Sequence, residues 1–237
     1  MPTRQADWRL MHVAFLGAPA MDYEEVPPPP ALAPWVAVFW RMRANRPFEL
    51  RVLPDGCMDI IGTDVVGSLT KPIMVPFAAG ETAAGVRFHP GGLPALLRCP
   101  ASDLIDQRIP IAELVPRTAA LGQLASGADE PDPLARAAYA VPTLSRLRRV
   151  AGYSERQIRR RVLAATGHSP KRLMRIGRMQ RLLLGGRGES WARAAADHGF
   201  FDEAHMVNDV RELAGATPQA LTAGMADSSK AISGRRS

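Results

Sequence analysis

A chain of 237 residues is long enough for one or two domains with hydrophobic cores of their own. Its only cysteines are Cys57 and Cys99, which excludes a disulfide scaffold and leaves no CxxC pair typical of a metal site. No apolar run is long enough to cross a bilayer, and the first residues lack the pattern of a secretory signal. We therefore expect a cytoplasmic protein without membrane contact, metal or cofactor.

Charge is unevenly distributed along the chain. Residues 1–140 contain 12 Lys and Arg against 15 Asp and Glu, whereas residues 141–224 contain 15 against 7. A basic segment after a neutral or acidic one is typical of a DNA-binding domain fused to a partner domain. The alternative is that these basic residues form a solvent-exposed surface that does not bind nucleic acid.

The first half of the chain is predicted to be β-rich with short helices. After prolines 27–30, Val36, Val38, Trp40 and Met42 alternate with Ala37, Phe39, Arg41 and Arg43, which is the period of a strand. Residues 54–56, Pro-Asp-Gly, are a turn signal, so we interpret residues 48–62 as a hairpin. Further elements are expected in this order: strands within 66–77 and 82–89, short helices from Pro94 to Ser126, and a linker at 127–133.

The last hundred residues contain one pattern twice: a helix, a glycine turn and a capped helix. In the first unit, Leu144, Leu147 and Val150 recur at helical spacing and are expected to face a core. Gly152 suits the turn, where a left-handed backbone is often needed, and Ser154 is a good N-cap for the next helix.

That second helix carries the first candidate DNA-binding residues. Ile158 and Val162 are expected to face inward, which leaves Arg156, Arg159 and Arg160 on the outer side. The planar fork of arginine binds guanine O6 and N7 in a major groove, or a phosphate. We predict that these arginines read bases; the alternative is contact with phosphates alone.

The second unit follows the same logic. Gly199 is expected to turn, Asp202 to cap the second helix, and Met206 and Val210 to face inward. Asn reads adenine and Glu accepts a hydrogen bond from cytosine, but Glu203 and Asp209 also repel phosphate, so we expect less affinity from this helix. The predicted outward residues are Glu203, His205, Val207 and Asn208.

Between the two units, residues 170–184 are predicted to form a long amphipathic helix. Its arginines are expected to lie opposite Leu173, Ile176 and residues 182–184. We interpret this helix as a rigid spacer that holds the two reading helices about 34 Å apart, one turn of DNA.

Several of these motifs agree in order and spacing with a known family. The pattern Gly-Tyr-Ser at 152–154, Thr-Gly-His-Ser-Pro at 166–170, Gly-Phe at 199–200 and Gly-Ala-Thr-Pro at 215–218 resembles the AraC/XylS family of bacterial transcription regulators. The resemblance covers about residues 141–222 and implies a seven-helix domain with two helix-turn-helix units. It also implies that Arg156, Arg159 and Arg160 occupy the family's base-reading positions and that the four candidate residues of the second unit lie on the second reading helix.

Two positions depart from the family pattern. The residue four before the first turn glycine is usually small, but here it is Arg148, whereas the second unit keeps Ala195. The family often has an arginine where Asn208 stands. We therefore expect looser packing of the first unit and a weaker grip on DNA by the second.

The N-terminal half supplies candidate ligand-binding groups rather than a motif. Trp35, Trp40 and the segments 53–59 and 85–91 look similar to an uncharacterised domain found fused to this DNA-binding type, which implies a sensory or dimerising role. The plainer interpretation is that both tryptophans are core and that Asp55 and Gly56 only form a turn. Cys57, Asp59 and His89 include the residue types of a nucleophile, an orienter and a base, but nothing in their spacing requires catalysis.

The sequence thus predicts an α+β protein in three parts: a β-rich effector-binding or dimerisation domain at 1–135, an all-α AraC-type DNA-binding domain at 136–225, and a disordered tail at 226–237. The expected function is sequence-specific transcription regulation, not catalysis. Expected partners are double-stranded DNA, RNA polymerase, a small-molecule effector of unknown identity and a second copy of the chain. The alternatives are an enzyme with an accessory DNA-binding module and a basic nucleoid-type protein without sequence preference.

Overall fold

A computed structural model describes residues 20–116, 120–185 and 190–223; the predicted tail lies outside these residues. Six antiparallel strands form one sheet in the order β1-β2-β7-β4-β5-β8, and β3 and β6 form a separate ribbon. The strands are β1 (Met21–Val26), β2 (Val36–Ala44), β3 (Phe48–Val52), β4 (Met58–Ile61), β5 (Asp64–Val66), β6 (Ile73–Phe77), β7 (Thr82–Phe88) and β8 (Arg108–Pro110).

The predicted hairpin at 48–62 is wrong in its pairing. β3 pairs with β6, so that Leu50 lies opposite Val75, while β4 pairs with β5 and β7. The turn itself is present: Gly56 has a φ of 75°, and the Asp55 carboxylate accepts from the Cys57 amide at 2.9 Å. The chain turns there to pack on the helical domain instead of pairing with its neighbour.

Short helices cover one side of the main sheet. Helix α1 (Gly92–Leu97), α2 (Leu121–Ser126) and a 3₁₀ turn at Ala101–Leu104 pack there around Phe88 and Leu93, which are fully buried. Trp35 belongs to this core and Trp40 to a smaller one, so the plainer interpretation of both tryptophans as core residues is confirmed.

The C-terminal part is helical, as predicted. It contains α3 (Pro133–Ala140), α4 (Leu144–Ala151), α5 (Glu155–Thr166), α6 (Pro170–Gly185), α7 (Trp191–Asp197), α8 (Glu203–Ala214) and a last helical segment at 218–223. The predicted inward position of Val150 is wrong, because its side chain is 68% exposed. The inward face of α4 is formed by Leu147, which is fully buried, and by Leu144 and Ala151, which are partly buried.

The two parts of the chain share one core. Leu53 and Cys57, from the loop after β3, are buried together with Leu173 and Ile176 of α6. Helix α6 is therefore buried on most of its surface rather than on one side only, which differs from the expected amphipathic spacer. At Gly177 an added Cβ would lie 2.1 Å from a backbone oxygen of α3, so only glycine allows this crossing.

Polar contacts cross the same boundary. The Gln180 amide donates to the Pro54 carbonyl at 3.0 Å, and the Ser68 hydroxyl lies 2.8 Å from Nε2 of His168. All four groups belong to buried residues. The N-terminal domain therefore forms part of the support of the helical domain.

Candidate DNA-reading face

The first helix-turn-helix unit consists of α4 and α5. Gly152 ends α4 with a φ of 70°, and Ser154 and Gln157 form the capping box at the start of α5. Ile158 and Val162 are fully buried, as predicted, and fix which face of α5 points outward.

Arg156, Arg159 and Arg160 all lie on the exposed face of α5. The next arginine has a different role, because Arg161 makes two hydrogen bonds to the Asp132 carboxylate, at 2.7 and 2.9 Å, and stacks over the Tyr153 ring. Sequence reasoning missed this pair. The Arg161–Asp132 pair holds α5 against the N-cap residue of α3, whereas the guanidinium groups of the three candidate arginines face solvent.

The second unit consists of α7 and α8. Gly199 turns with a φ of 77°, and the Asp202 carboxylate accepts from the His205 amide at 2.7 Å, as expected of an N-cap. Met206 and Val210 are fully buried. The two units thus have the same local construction, and each presents one capped helix.

The four residues of α8 that were predicted to face outward are exposed to different degrees. Glu203 and Asn208 are exposed, whereas Val207 is half-buried and packs against the helical core. Both ring nitrogens of His205 face groups of this chain: Nδ1 accepts from the Phe201 amide at 3.2 Å, and Nε2 lies 3.6 Å from a carboxylate oxygen of Asp209. In this structure the imidazole supports the turn.

The expected repulsion of phosphate by Asp209 is wrong. Its side chain is 11% exposed and turned toward α6, where it accepts from Arg175 and Arg178, each at 3.0 Å. Arg175 also binds Glu212 of α8. The carboxylate is therefore neutralised inside the domain and fixes α8 on α6.

Two further exposures were not anticipated. Phe201, just before the cap of α8, is 90% exposed although it is a large apolar residue. Arg148, expected to crowd the first unit, is exposed, and an added Cβ at Gly152 would meet nothing within 4 Å. The expected looseness of the first unit therefore has no steric cause in the structure.

Comparison with known families decides the class of this domain. Residues 147–223 match a family described as a helix-turn-helix domain, and residues 24–110 match a domain of unknown function, DUF6597. The C-terminal domain is an AraC-type helix-turn-helix domain, and its presence supports a DNA-binding regulator. No curated protein and no solved structure matches it. No helix in the described residues could span a membrane.

The N-terminal domain of the regulator contains a buried ionic cluster. Asp59 accepts from the Trp40 indole at 2.9 Å and from the Arg87 guanidinium at 3.1 Å, and Asp55 lies 3.3 Å from the same guanidinium. Burial opposes the charged form, but the two carboxylates raise the pKa of Arg87. Asp55 is therefore more than a turn residue, because it also belongs to this cluster.

The surroundings of Cys57, Asp59 and His89 in the regulator do not favour catalysis by these three residues. Cys57 packs into the helical core, and burial raises the pKa of its thiol, which disfavours the nucleophilic thiolate. Asp59 is occupied by Trp40 and Arg87. Burial and the charge of Arg136 lower the pKa of His89 to about 4. Within the described residues no group of three or more His, Cys, Asp or Glu could hold a metal ion.

Proposed function

We propose that the regulator recognises a specific DNA sequence with α5 and α8, each placed in one segment of the major groove. The observation that carries this proposal is the exposure of Arg156, Arg159 and Arg160 on a helix whose opposite face is fully buried. Three arginine forks on one stripe suit guanine edges and adjacent phosphates. Helix α8 adds Glu203 and Asn208, while His205 and Val207 support that helix.

The two reading helices differ in what they contribute. Helix α5 presents Arg156, Arg159 and Arg160 on one exposed stripe, so this helix supplies more of the electrostatic attraction to phosphates than α8 does. Helix α8 presents the Glu203 carboxylate and the Asn208 amide, which favour discrimination between bases over affinity, and it also exposes Arg211 and Glu212 toward its end. Helix α6, with 16 residues and a length of about 24 Å, joins the two units.

The test begins with a site selected from a pool of random duplexes by the full chain. Arg156→Ala and Arg160→Ala should each weaken binding to that site by about 1–3 kcal/mol and weaken binding to random duplex much less. Arg149→Ala, which removes an exposed arginine of the preceding helix, is the control. An equal loss on specific and random duplexes would show that these arginines contact phosphates only.

The regulatory part of the proposal concerns the N-terminal domain. We propose that this domain controls DNA binding in response to a small molecule, supported by its shared core with α6. Contact with RNA polymerase and formation of a homodimer stay predictions. Comparing transcription from a promoter that carries the selected site, with and without the regulator, would reveal the sign of control.

A further inference from the structure

A cleft of about 540 Å³ lies between the main sheet and the β3–β6 ribbon. Its apolar walls come from both layers, with Leu50 and Val75 of the ribbon facing Trp40 and Met42 of the sheet. A volume of this size is typical of sites for small organic molecules. The alternation of the ribbon strands sends one face into the cleft and the other face away from it.

The polar lining of the cleft is mainly acidic. Among the described residues, the carboxylates are Asp55, Asp59, Asp64 and Glu81, and the guanidinium groups are Arg87 and Arg108. Arg87 and Arg108 already lie against Asp59 and Asp64, so an incoming anion would compete with carboxylates for both of them. An acidic lining beside an aromatic wall favours a cation with an apolar body.

The walls of this cleft also touch the DNA-binding domain. Arg51, on the outer face of the ribbon, donates to the Ala214 carbonyl at the end of α8 at 3.4 Å. In the loop after β3, the Pro54 carbonyl accepts a hydrogen bond from the Gln180 side chain of α6. Gly56 of the same loop lies so close to α6 that an added Cβ would be 2.7 Å from the Leu173 side chain. The ribbon side of the cleft therefore contacts both α6 and the second reading helix.

The first reading helix rests on a different part of the N-terminal domain. Helix α5 packs on α1 and on the turn Ala101–Leu104. The approach is close: a Cβ added at Gly91 would lie 3.2 Å from the Ala165 carbonyl oxygen of α5, and one added at Gly167, which follows α5, would lie 2.6 Å from the Ile105 side chain. This contact lies behind the main sheet, away from the ribbon. A displacement of the ribbon relative to the sheet would therefore move α8 relative to α5.

We infer that the cleft binds a small organic cation with an apolar body, and that its occupation changes DNA affinity by shifting the ribbon and, with it, the second reading helix. This inference rests on the proposed function. Occupancy and DNA binding must then be linked reciprocally, each changing the affinity of the other by the same factor.

Binding is tested with three probes of matched size on the full chain: tryptamine, its neutral analogue tryptophol and the anion indoleacetate. Tryptamine should bind more tightly than the other two, measured by calorimetry and by the shift in melting temperature. Val75→Trp, which fills the cleft, should abolish this binding. Met74→Trp is the matched control, because Met74 neighbours Val75 on the opposite, exposed face of β6.

Coupling is tested on the selected duplex. Saturating tryptamine should change DNA affinity by about fivefold or more, the lower end of usual allosteric coupling, and the duplex should change tryptamine affinity by the same factor. Arg51→Ala should keep tryptamine binding but reduce this coupling. Glu49→Ala, on the same exposed face of β3, should leave the coupling unchanged.

The outcomes separate the two proposals. If the chain binds its selected duplex but indoleacetate binds as well as tryptamine, or neither binds, the cleft assignment is wrong and the proposed function stands. If tryptamine binds without changing DNA affinity, the ribbon is not the route of control. Failure to select any duplex would overturn the proposed function itself, while binding of tryptamine in the cleft would still be measurable.

Discussion

Acidification should weaken the contact between the two domains through His168. This residue is 2% exposed, and burial together with the charge of Arg172 lowers its pKa to about 4. An unfolded histidine titrates near pH 6.5, so the unfolded chain takes up the proton first as the pH falls. The contribution of the neutral His168 ring to the stability of the folded protein is therefore complete above pH 6.5 and is lost as the pH falls toward 4. At pH 5 the loss from this one group is about 2 kcal/mol.

The assay is chemical unfolding of the wild type and of His168→Gln at pH 7.5 and pH 5. The difference in unfolding free energy between them should shrink by about 2 kcal/mol at the lower pH, because glutamine does not titrate. Ser68→Ala removes the hydrogen-bonding partner but leaves the ring buried, so this variant should be less stable at both pH values and keep the wild-type pH dependence. Parallel pH profiles for the wild type and His168→Gln would refute the reasoning.

Three further predictions concern the helical domain. Asp209→Ala should destabilise the protein by about 3 kcal/mol in urea unfolding, because it leaves two largely buried guanidinium groups without their shared carboxylate. Glu212→Ala should cost less, because the Glu212 side chain is 63% exposed, and a larger loss of stability than in Asp209→Ala would contradict this reasoning. Asn208→Arg should steepen the dependence of log affinity on log salt by about one unit, and an unchanged slope would mean that position 208 does not approach DNA. Arg148→Ala should leave the melting temperature almost unchanged, since the side chain is exposed, and a drop of several degrees would reveal an unseen contact.

The sequence predicts best what short-range chemistry decides. The caps at Ser154 and Asp202 and the turns at Gly152 and Gly199 depend on a few neighbouring residues, and all four lie where the pattern places them. The exposure of Arg156, Arg159 and Arg160 follows from the same local periodicity. The class of the domain and the capped helix that each unit presents could therefore be predicted without a structure.

The larger errors involve partners distant in sequence. The pairing of β3 with β6 depends on a long connection, and a turn signal after β3 does not reveal it. Asp209 faces inward because Arg175 and Arg178 on α6 attract it, although its spacing along α8 allows an outward position. The cleft could not be predicted from the sequence, because its walls come from strands that only the fold brings together.

The loop that contributes Leu53 and Cys57 to the helical core has a practical consequence for protein engineering. A helical fragment cut away near residue 136 would uncover the apolar side of α6 that these two side chains close. Such a fragment is expected to aggregate or to need solubilising substitutions around Leu173 and Ile176. Chimeras that exchange sensor domains between regulators should accordingly retain residues 53–57 together with the helices, because this loop belongs structurally to both halves.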